Sequence, residues 1–301
     1  MNSENPQNAW ARLVARFPFD LFLLVLPVAL LLHFFFSGFG FEPGNTGQVL
    51  AGAKRVLAGQ MPWSDFYTVI GPLTYYLHIP VLSFSNVFKV TRLIIWLELS
   101  LTVWLFTHLV CKSFSLVPFR VLRGLIATSA LAVASNIMPM EPSHILDACC
   151  LSALGLVLVS GRSVVLKNLG LLLIGSATLC KPAFFVVSPV ALCAFASWRN
   201  LLNWFSVLLP VLIGLLWLEL SGVLPVAIKF MAVGDPLWIG VKWLWFRNLG
   251  SVFVGYLGIR ILKKGKTSTF TERSALVTGF IVLTVIPVYL SWNSLTSGDI
   301  S

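Results

Sequence analysis

Long apolar runs alternate with short polar connections along most of this chain. A helix that crosses a membrane needs about 20 mainly apolar residues, so the pattern predicts about nine crossings. The predicted spans are Phe19–Gly38, Phe88–Cys111, Arg123–Met138, Ile145–Gly161, Asn168–Cys180, Pro182–Trp198, Leu201–Leu220, Leu237–Leu262 and Ala275–Trp292. The segment Asn168–Trp198 fits either two short helices or one long helix broken by proline. We therefore predict an all-α fold, a polytopic transmembrane helical bundle that forms one domain over residues 1–301.

A polar insert, at about residues 39–78, separates the first two apolar runs. It carries a basic pair, Lys54 and Arg55, and is predicted to form short amphipathic helices. The first is Thr46–Gly59, because its threonine can cap the start and its glycine can end the helix. Its apolar residues repeat at helical spacing, which is typical of a helix on a membrane surface. A second short helix should begin near Pro72, since proline is favoured in a first turn, and continue through His78.

Composition supports a membrane protein and argues against a nucleic-acid partner. The chain is 57% hydrophobic and 11% charged, whereas soluble domains carry about 25% charged residues. The net charge is +10, but the Lys and Arg residues lie at the ends of apolar runs and form no stripe on one face. The positive-inside rule places the N-terminus in the cytoplasm. We expect a multi-pass protein in the lipid bilayer of the bacterial inner (plasma) membrane.

Four carboxylates are predicted on the outer side of that membrane. They are Glu42 and Asp65 in the insert, and Glu141 and Asp147 in the second outer loop. Ionisable groups near a bilayer are costly and usually face a cavity or a partner. One carboxylate can act as a general base on an incoming hydroxyl, so these four are candidate catalytic residues. The alternatives are that Asp65 caps the helix that follows it and that Asp147 satisfies a helix N-terminus.

Cationic and aromatic residues on the same side are candidates for substrate binding. Lys181 and Arg92 could hold a departing phosphate. Tyr75 and Tyr76, at the aromatic end of the insert, could stack on a sugar or pack against an isoprenoid chain. His144 lies near the second pair of acids. Alternatively, Lys181 extends its ammonium to the interface, and His144 is an interfacial polar residue.

The histidines and cysteines predict no metal site and no disulfide framework. The five cysteines lie in or beside apolar runs without a CxxC or Cys/His spacing, and the four histidines are scattered. His78 is read as an interfacial polar residue and Glu98 as a buried partner of another group. A divalent cation, Mg²⁺ or Mn²⁺, bound by outer carboxylates is the one cofactor left open.

The insert and the segments after it resemble the GT-C superfamily of polytopic glycosyltransferases, which includes protein O-mannosyltransferases and lipid A aminoarabinose transferases. Such families show an Asp, a Gly two residues later, a helix ending in Leu-x-Gly, and then two aromatic elements, Pro/Tyr-x-Asp-Phe and Pro-Leu-x-Tyr-Tyr. The corresponding positions are Asn45, Gly47, Val56–Gly59, Pro62–Phe66 and Gly71–Tyr76. Three later features also resemble the family. Arg92 resembles the arginine that opens the second span, and Met140–Asp147 occupies the place of the second acidic loop. The family's lysine-containing segment resembles Gly175–Pro189, centred on Lys181.

This resemblance implies a short or divergent membrane glycosyltransferase that transfers a sugar from a polyprenyl-phosphate donor to an extracytoplasmic acceptor. Asn45 stands where the family has its first catalytic Asp, so Asn45 could only bind substrate, and Glu42 could substitute as the acid. Many relatives continue beyond the point where this chain stops, at Ser301. The alternative is a non-catalytic membrane protein that binds or carries a lipid-linked glycan, or a partner subunit of a transferase. A secondary transporter is disfavoured because no repeated halves are found.

Overall fold

A computed structural model describes residues 18–37, 45–68, 70–113, 120–137, 141–161, 163–195 and 199–232. These residues form helices and turns, with an isolated bridge between Pro62 and Phe66 and no strand. The all-α prediction is therefore confirmed for the described part of the chain. The predicted spans Leu237–Leu262 and Ala275–Trp292 and the candidate acid Glu42 lie outside the described residues.

The helices are numbered here in chain order. They are α1 Leu21–Phe36, α2 Asn45–Leu57, α3 Pro72–His78, α4 Val87–Ser113, α5 Arg120–Ile137, α6 His144–Val159, α7 Val164–Cys180, α8 Val187–Ala194, α9 Leu201–Leu220 and α10 Leu224–Ala232. The first turn of α1, Leu21–Val25, is π-helical. Short 3₁₀ segments, Ile79–Ser83 and Pro182–Val186, follow α3 and precede α8.

Local sequence signals set several of these helix ends. The predicted insert helix ends at Leu57, and Gly59 then adopts a φ of +82°, which glycine reaches without a steric cost. Helix α3 begins at Pro72, as predicted. The segment Asn168–Trp198 fitted either two short helices or one helix broken by proline. Lys181 has an extended backbone between α7 and Pro182, so two separate helices form.

Among the described residues, two helices are long and apolar enough to cross a membrane. They are Val87–Lys112 and Leu201–Leu220, with hydropathies of 1.8 and 2.1. Four other apolar helices are shorter: Leu21–Phe36, His144–Val159, Val164–Cys180 and Pro182–Cys193. The structure thus supports an apolar helical bundle with two helices of spanning length among the described residues, which is less than the predicted nine spans. One reason is that several apolar helices are shorter than the length of about 20 residues that a crossing needs, as α6 is with 16.

Two apolar cores hold the bundle together. The first is formed by α1, α4 and α5 with one residue of α6: Leu21, Val25, Ala29, Ile95, Trp96, Leu99, Ala127, Leu131 and Leu146. The second is formed by α6, α7, α8 and α9: Val159, Leu171, Ile174, Ala191, Leu192 and Val207. Burying one large aliphatic side chain contributes about 1.5–3 kcal/mol. Because α4 also packs on α6, the two cores adjoin each other.

Helices α6 and α7 approach most closely at two glycines. A Cβ atom on Gly155 would lie 2.6 Å from the carbonyl oxygen of Gly170, and one on Gly170 would lie 2.5 Å from that of Gly155. Small residues at a helix interface allow such close backbone contact. The pair is antiparallel, since Ala148 near the start of α6 packs on Ala177 near the end of α7. The start of α6 and the end of α7 therefore lie together.

A buried ion pair joins α1 to α5. Arg123 donates from Nε and Nη2 to the two carboxylate oxygens of Asp20, at 2.5 Å each. Trp104 of α4 donates from Nε1 to Asp20 Oδ2 at 2.8 Å, and the guanidinium lies 5.5 Å from the Trp104 ring centroid. Asp20 is 3% and Arg123 5% exposed. An ion pair and an indole hydrogen bond thus join three helices at one point.

Removing one partner of this ion pair should destabilise the fold. We expect Arg123→Gln to lower the free energy of unfolding by about 3–5 kcal/mol, because Asp20 would stay buried without a counterion. The matched control is Arg120→Gln, on the same helix. Arg120 is half-buried, and its guanidinium carbon lies 5.7 Å from the centroid of the Phe19 ring. That change should cost about 1 kcal/mol or less. Unfolding would be followed by tryptophan fluorescence during a denaturant titration in an uncharged detergent. Equal losses in the two variants would contradict this role.

Candidate functional site

Helix α3, at the end of the polar insert, packs against α7. The backbone N–H of Gly71 donates to the carbonyl oxygen of Cys180, the last residue of α7, at 3.1 Å. A Cβ atom on Gly71 would collide with the carbonyl oxygen of Leu179, so this approach requires glycine. An apolar cluster continues the contact into α6: Leu73, Ala148, Ala177 and Cys180. The insert therefore reaches the place where α6 begins and α7 ends.

At this place, His78 of α3 meets Asp147 of α6. The Nε2 atom of His78 lies 3.4 Å from Asp147 Oδ1, and each residue is 2% exposed. The direction of the hydrogen bond depends on the imidazole tautomer. Asp147 stands in the first turn of α6, where a negative charge is favoured by the helix N-terminus. One acid predicted from the sequence is thus paired with a histidine that was predicted to be an interfacial polar residue.

A second carboxyl group, that of the half-buried Glu98 on α4, lies beside Asp147. The two carboxyl groups are within electrostatic and hydrogen-bonding range. No donor among the described residues reaches Asp147 Oδ2, and His78 Nδ1 also lacks a partner there. We call His78, Glu98 and Asp147 the acid cluster, which has the groups needed to take up and release a proton.

Two predicted binding residues lie near the acid cluster. His144, the first residue of α6, is within electrostatic range of both Lys181 and Asp147. Lys181 is half-buried in the extended link after α7, and burial lowers its pKa because the ammonium form is less well solvated there. The structure therefore brings an acid, two imidazoles and an amine to one end of the α6–α7 pair.

Asp65 has a different environment. Its Oδ2 accepts a hydrogen bond from the Met61 N–H at 2.7 Å, and its own N–H donates to the Met61 carbonyl oxygen at 2.9 Å. Asp65 is exposed, and its neighbour Trp63 packs on α9 and α10. Asp147, in contrast, contacts α3 and α4. The carboxylate of Asp65 therefore holds its own turn, whereas that of Asp147 contacts other helices.

The remaining predicted residues are placed as follows. Arg92 donates from Nη1 to the carbonyl oxygens of Phe36 and Ser37, at 3.2 and 2.9 Å. These oxygens lie at the C-terminal end of α1, where a positive charge is favourable. Glu141 is half-buried ahead of α6, and Tyr76 is 47% exposed. Asn45 is the first residue of α2. Asp147 thus has a buried imidazole and a second carboxyl group beside it.

On its other side, α3 closes a pocket against α2. The pocket has a volume of about 210 Å³ and is lined by residues of α2, the aromatic segment and α3: Gln48, Ala51, Gly52, Arg55, Phe66, Tyr67, Thr68 and Tyr75. The Tyr75 ring packs over Gly52, and its hydroxyl shares a short hydrogen bond with Thr68. Burial raises the pKa of Tyr75, so the phenol stays protonated. We call this the insert pocket; its lining residues include no carboxylate.

The described residues give no ligand set for the divalent cation that the sequence left open. Within these ranges, no group of three or more His, Cys, Asp or Glu side chains is arranged to hold a metal ion.

Comparisons with protein-family models, curated proteins and solved structures found no match to this chain.

The contact between α3 and α7 can be tested through a buried thiol. Gly71→Ala should push α3 away from α7 and expose Cys180, which is 0% exposed in the folded chain. We expect faster modification of Cys180 by N-ethylmaleimide, measured by peptide mass spectrometry. Gly47→Ala is the control, because a Cβ atom there meets nothing within 4 Å. The exposed Cys193 reports the general thiol reactivity. Unchanged protection of Cys180 in a folded Gly71→Ala protein would show that α3 does not depend on this contact.

Proposed function

We propose that this chain is a membrane glycosyltransferase of the GT-C type. It transfers a sugar from a polyprenyl-phosphate donor to an acceptor on the extracytoplasmic side of the bacterial inner membrane. The multi-pass topology with a cytoplasmic N-terminus is part of this proposal. The observation that supports it most is the acid cluster, in which Asp147 contacts His78 and Glu98 near His144 and Lys181.

Sugar transfer requires a proton acceptor and a positive charge. The acceptor oxygen bonds to the anomeric carbon of the sugar while the bond from that carbon to the lipid phosphate oxygen breaks, and the acceptor hydroxyl loses its proton. We assign the proton to Asp147, whose Oδ2 has no donor among the described residues and can accept a hydroxyl. Lys181 supplies positive charge for the departing phosphate. His78 holds Asp147 in position through Nε2.

Asp147 fits the role of the base better than Asp65 does. The carboxylate of Asp65 is exposed and already accepts the Met61 N–H. Asp147 is buried, where a reacting group is shielded from water. With this assignment, no carboxylate is required at the position of Asn45.

A binding role without catalysis is the second candidate, and the insert pocket favours it. Three aromatic rings, an arginine and a glutamine line this pocket, and no carboxylate is among its lining residues. Such a pocket can hold a head group but has no general base of its own. In this case the chain would bind or carry a lipid-linked glycan, or act as the membrane partner of a separate transferase.

Complementation of cells that lack the gene separates these roles. Asp147→Asn keeps the side-chain size but removes the proton acceptor, so the transferred glycan should fall by about a hundredfold or more. Asp65→Asn is the matched control and should restore nearly full glycan. The measurement is mass spectrometry of the cell-envelope glycans, with the amount and the elution of each variant in detergent checked in parallel.

The outcomes are distinct. Full glycan from a normally produced Asp147→Asn protein would refute catalysis by the acid cluster. An equal loss of transferred glycan in Asp65→Asn would indicate that Asp65, in the insert, acts as the base. An unchanged glycan profile after deletion of the whole gene would refute sugar transfer and favour the binding role.

A further inference from the structure

We propose that the insert pocket binds a phosphate-bearing head group and that Arg55 recognises the phosphate. This is a binding property of the chain that goes beyond sugar transfer and does not require it. The proposal rests on the orientation of Arg55, on the shape of the α2 face below it, and on the character of α2 as a surface helix.

The guanidinium of the exposed Arg55 packs over an aromatic ring. Its guanidinium carbon lies 5.2 Å from the centroid of Phe66, within the range of a cation–π contact. Phe66 is 8% exposed and meets Tyr75 edge-on, with centroids 5.8 Å apart and an interplanar angle of 65°. In the described ranges no ion pair joins Arg55 to a carboxylate. A guanidinium placed in this way can offer its planar donor pair to a phosphate.

The face of α2 below Arg55 leaves room for a ligand. Gln48, Ala51, Gly52 and Arg55 line the pocket and follow the spacing of one helix face. The two small residues lie between an amide at one end and a guanidinium at the other. The volume of about 210 Å³ accommodates a phosphate and a small group attached to it. The aromatic wall of Phe66, Tyr67 and Tyr75 would pack against that attached group.

Helix α2 also has the surface expected at the level of lipid head groups. Lys54 is exposed at its last turn and Leu57 is 60% exposed beside it. A short helix that exposes both basic and apolar side chains is typical of the membrane interface. Phosphate could reach the pocket there as a lipid head group, or from solution as a free anion.

The two sources can be distinguished with two probes. The full chain, purified in an uncharged detergent, would be titrated with sodium phosphate and, separately, with dihexanoyl phosphatidic acid, by calorimetry. Arg55→Gln should weaken binding by about tenfold or more, as expected for loss of a charge-assisted hydrogen bond. Lys54→Gln is the matched control, because it removes the same charge from the neighbouring residue, which does not line the pocket. It should change binding by less than about twofold.

A third variant tests the shape of the pocket. Ala51→Leu fills the face of α2 without changing the charge and should also weaken binding, while elution from a sizing column reports that the variant is folded. Weaker binding in Arg55→Gln and Ala51→Leu, but not in Lys54→Gln, supports the proposal. If only the lipid binds, the ligand is a lipid head group. If sodium phosphate binds as well, the phosphate alone is sufficient for binding. Binding of neither probe, or equal weakening by Lys54→Gln and Arg55→Gln, overturns it. Because no sugar transfer is measured, this result is independent of the glycan assay.

Discussion

The bundle depends on pairing its ionisable groups with one another. A buried charge without a partner costs several kcal/mol, and apolar helices offer few alternatives. Asp20 and Arg123 join α1 to α5, and His78 and Asp147 join the insert to α6. Each pair fixes the rotation of its helix, because a shift of one residue turns a side chain by about 100°. Close packing in the apolar cores adds dispersion attraction, while these polar contacts select which helix faces meet.

Helix α3 links the two candidate sites. Tyr75 borders the insert pocket, and His78, three residues later, contacts Asp147. A helix of this length has little stability of its own, so its position depends on its contacts. Gly71 fixes the start of α3 to α7 through the carbonyl oxygen of Cys180. The short helix α3 therefore carries residues of both candidate sites.

The sequence predicted those features that depend on neighbouring residues. Gly59 and Pro72 act within a turn of their own positions, so the ends of the insert helices could be placed to within about two residues. Arg123 and Asp20 are 103 positions apart, and His78 and Asp147 are 69 apart. Such pairs depend on which helix faces pack together, and the hydropathy pattern does not predict which faces these are. His78 was accordingly predicted as an interfacial residue, and the span count, which rests on length alone, stays a prediction beyond two helices.

Asp65 and Asp147 look alike in the sequence, yet the fold treats them differently. Asp65 accepts a hydrogen bond from an N–H four residues away, so its carboxylate is satisfied within one turn. Asp147 draws its neighbours from α3 and α4, and it keeps one buried oxygen that no donor among the described residues reaches. Such an oxygen costs about 1–3 kcal/mol in a folded protein. A buried polar atom without a partner calls for an explanation, and other side chains of this fold, Glu141 among them, also carry one. The proposed assignment of the base to Asp147 therefore rests on its neighbours His78 and Glu98, which Asp65 lacks.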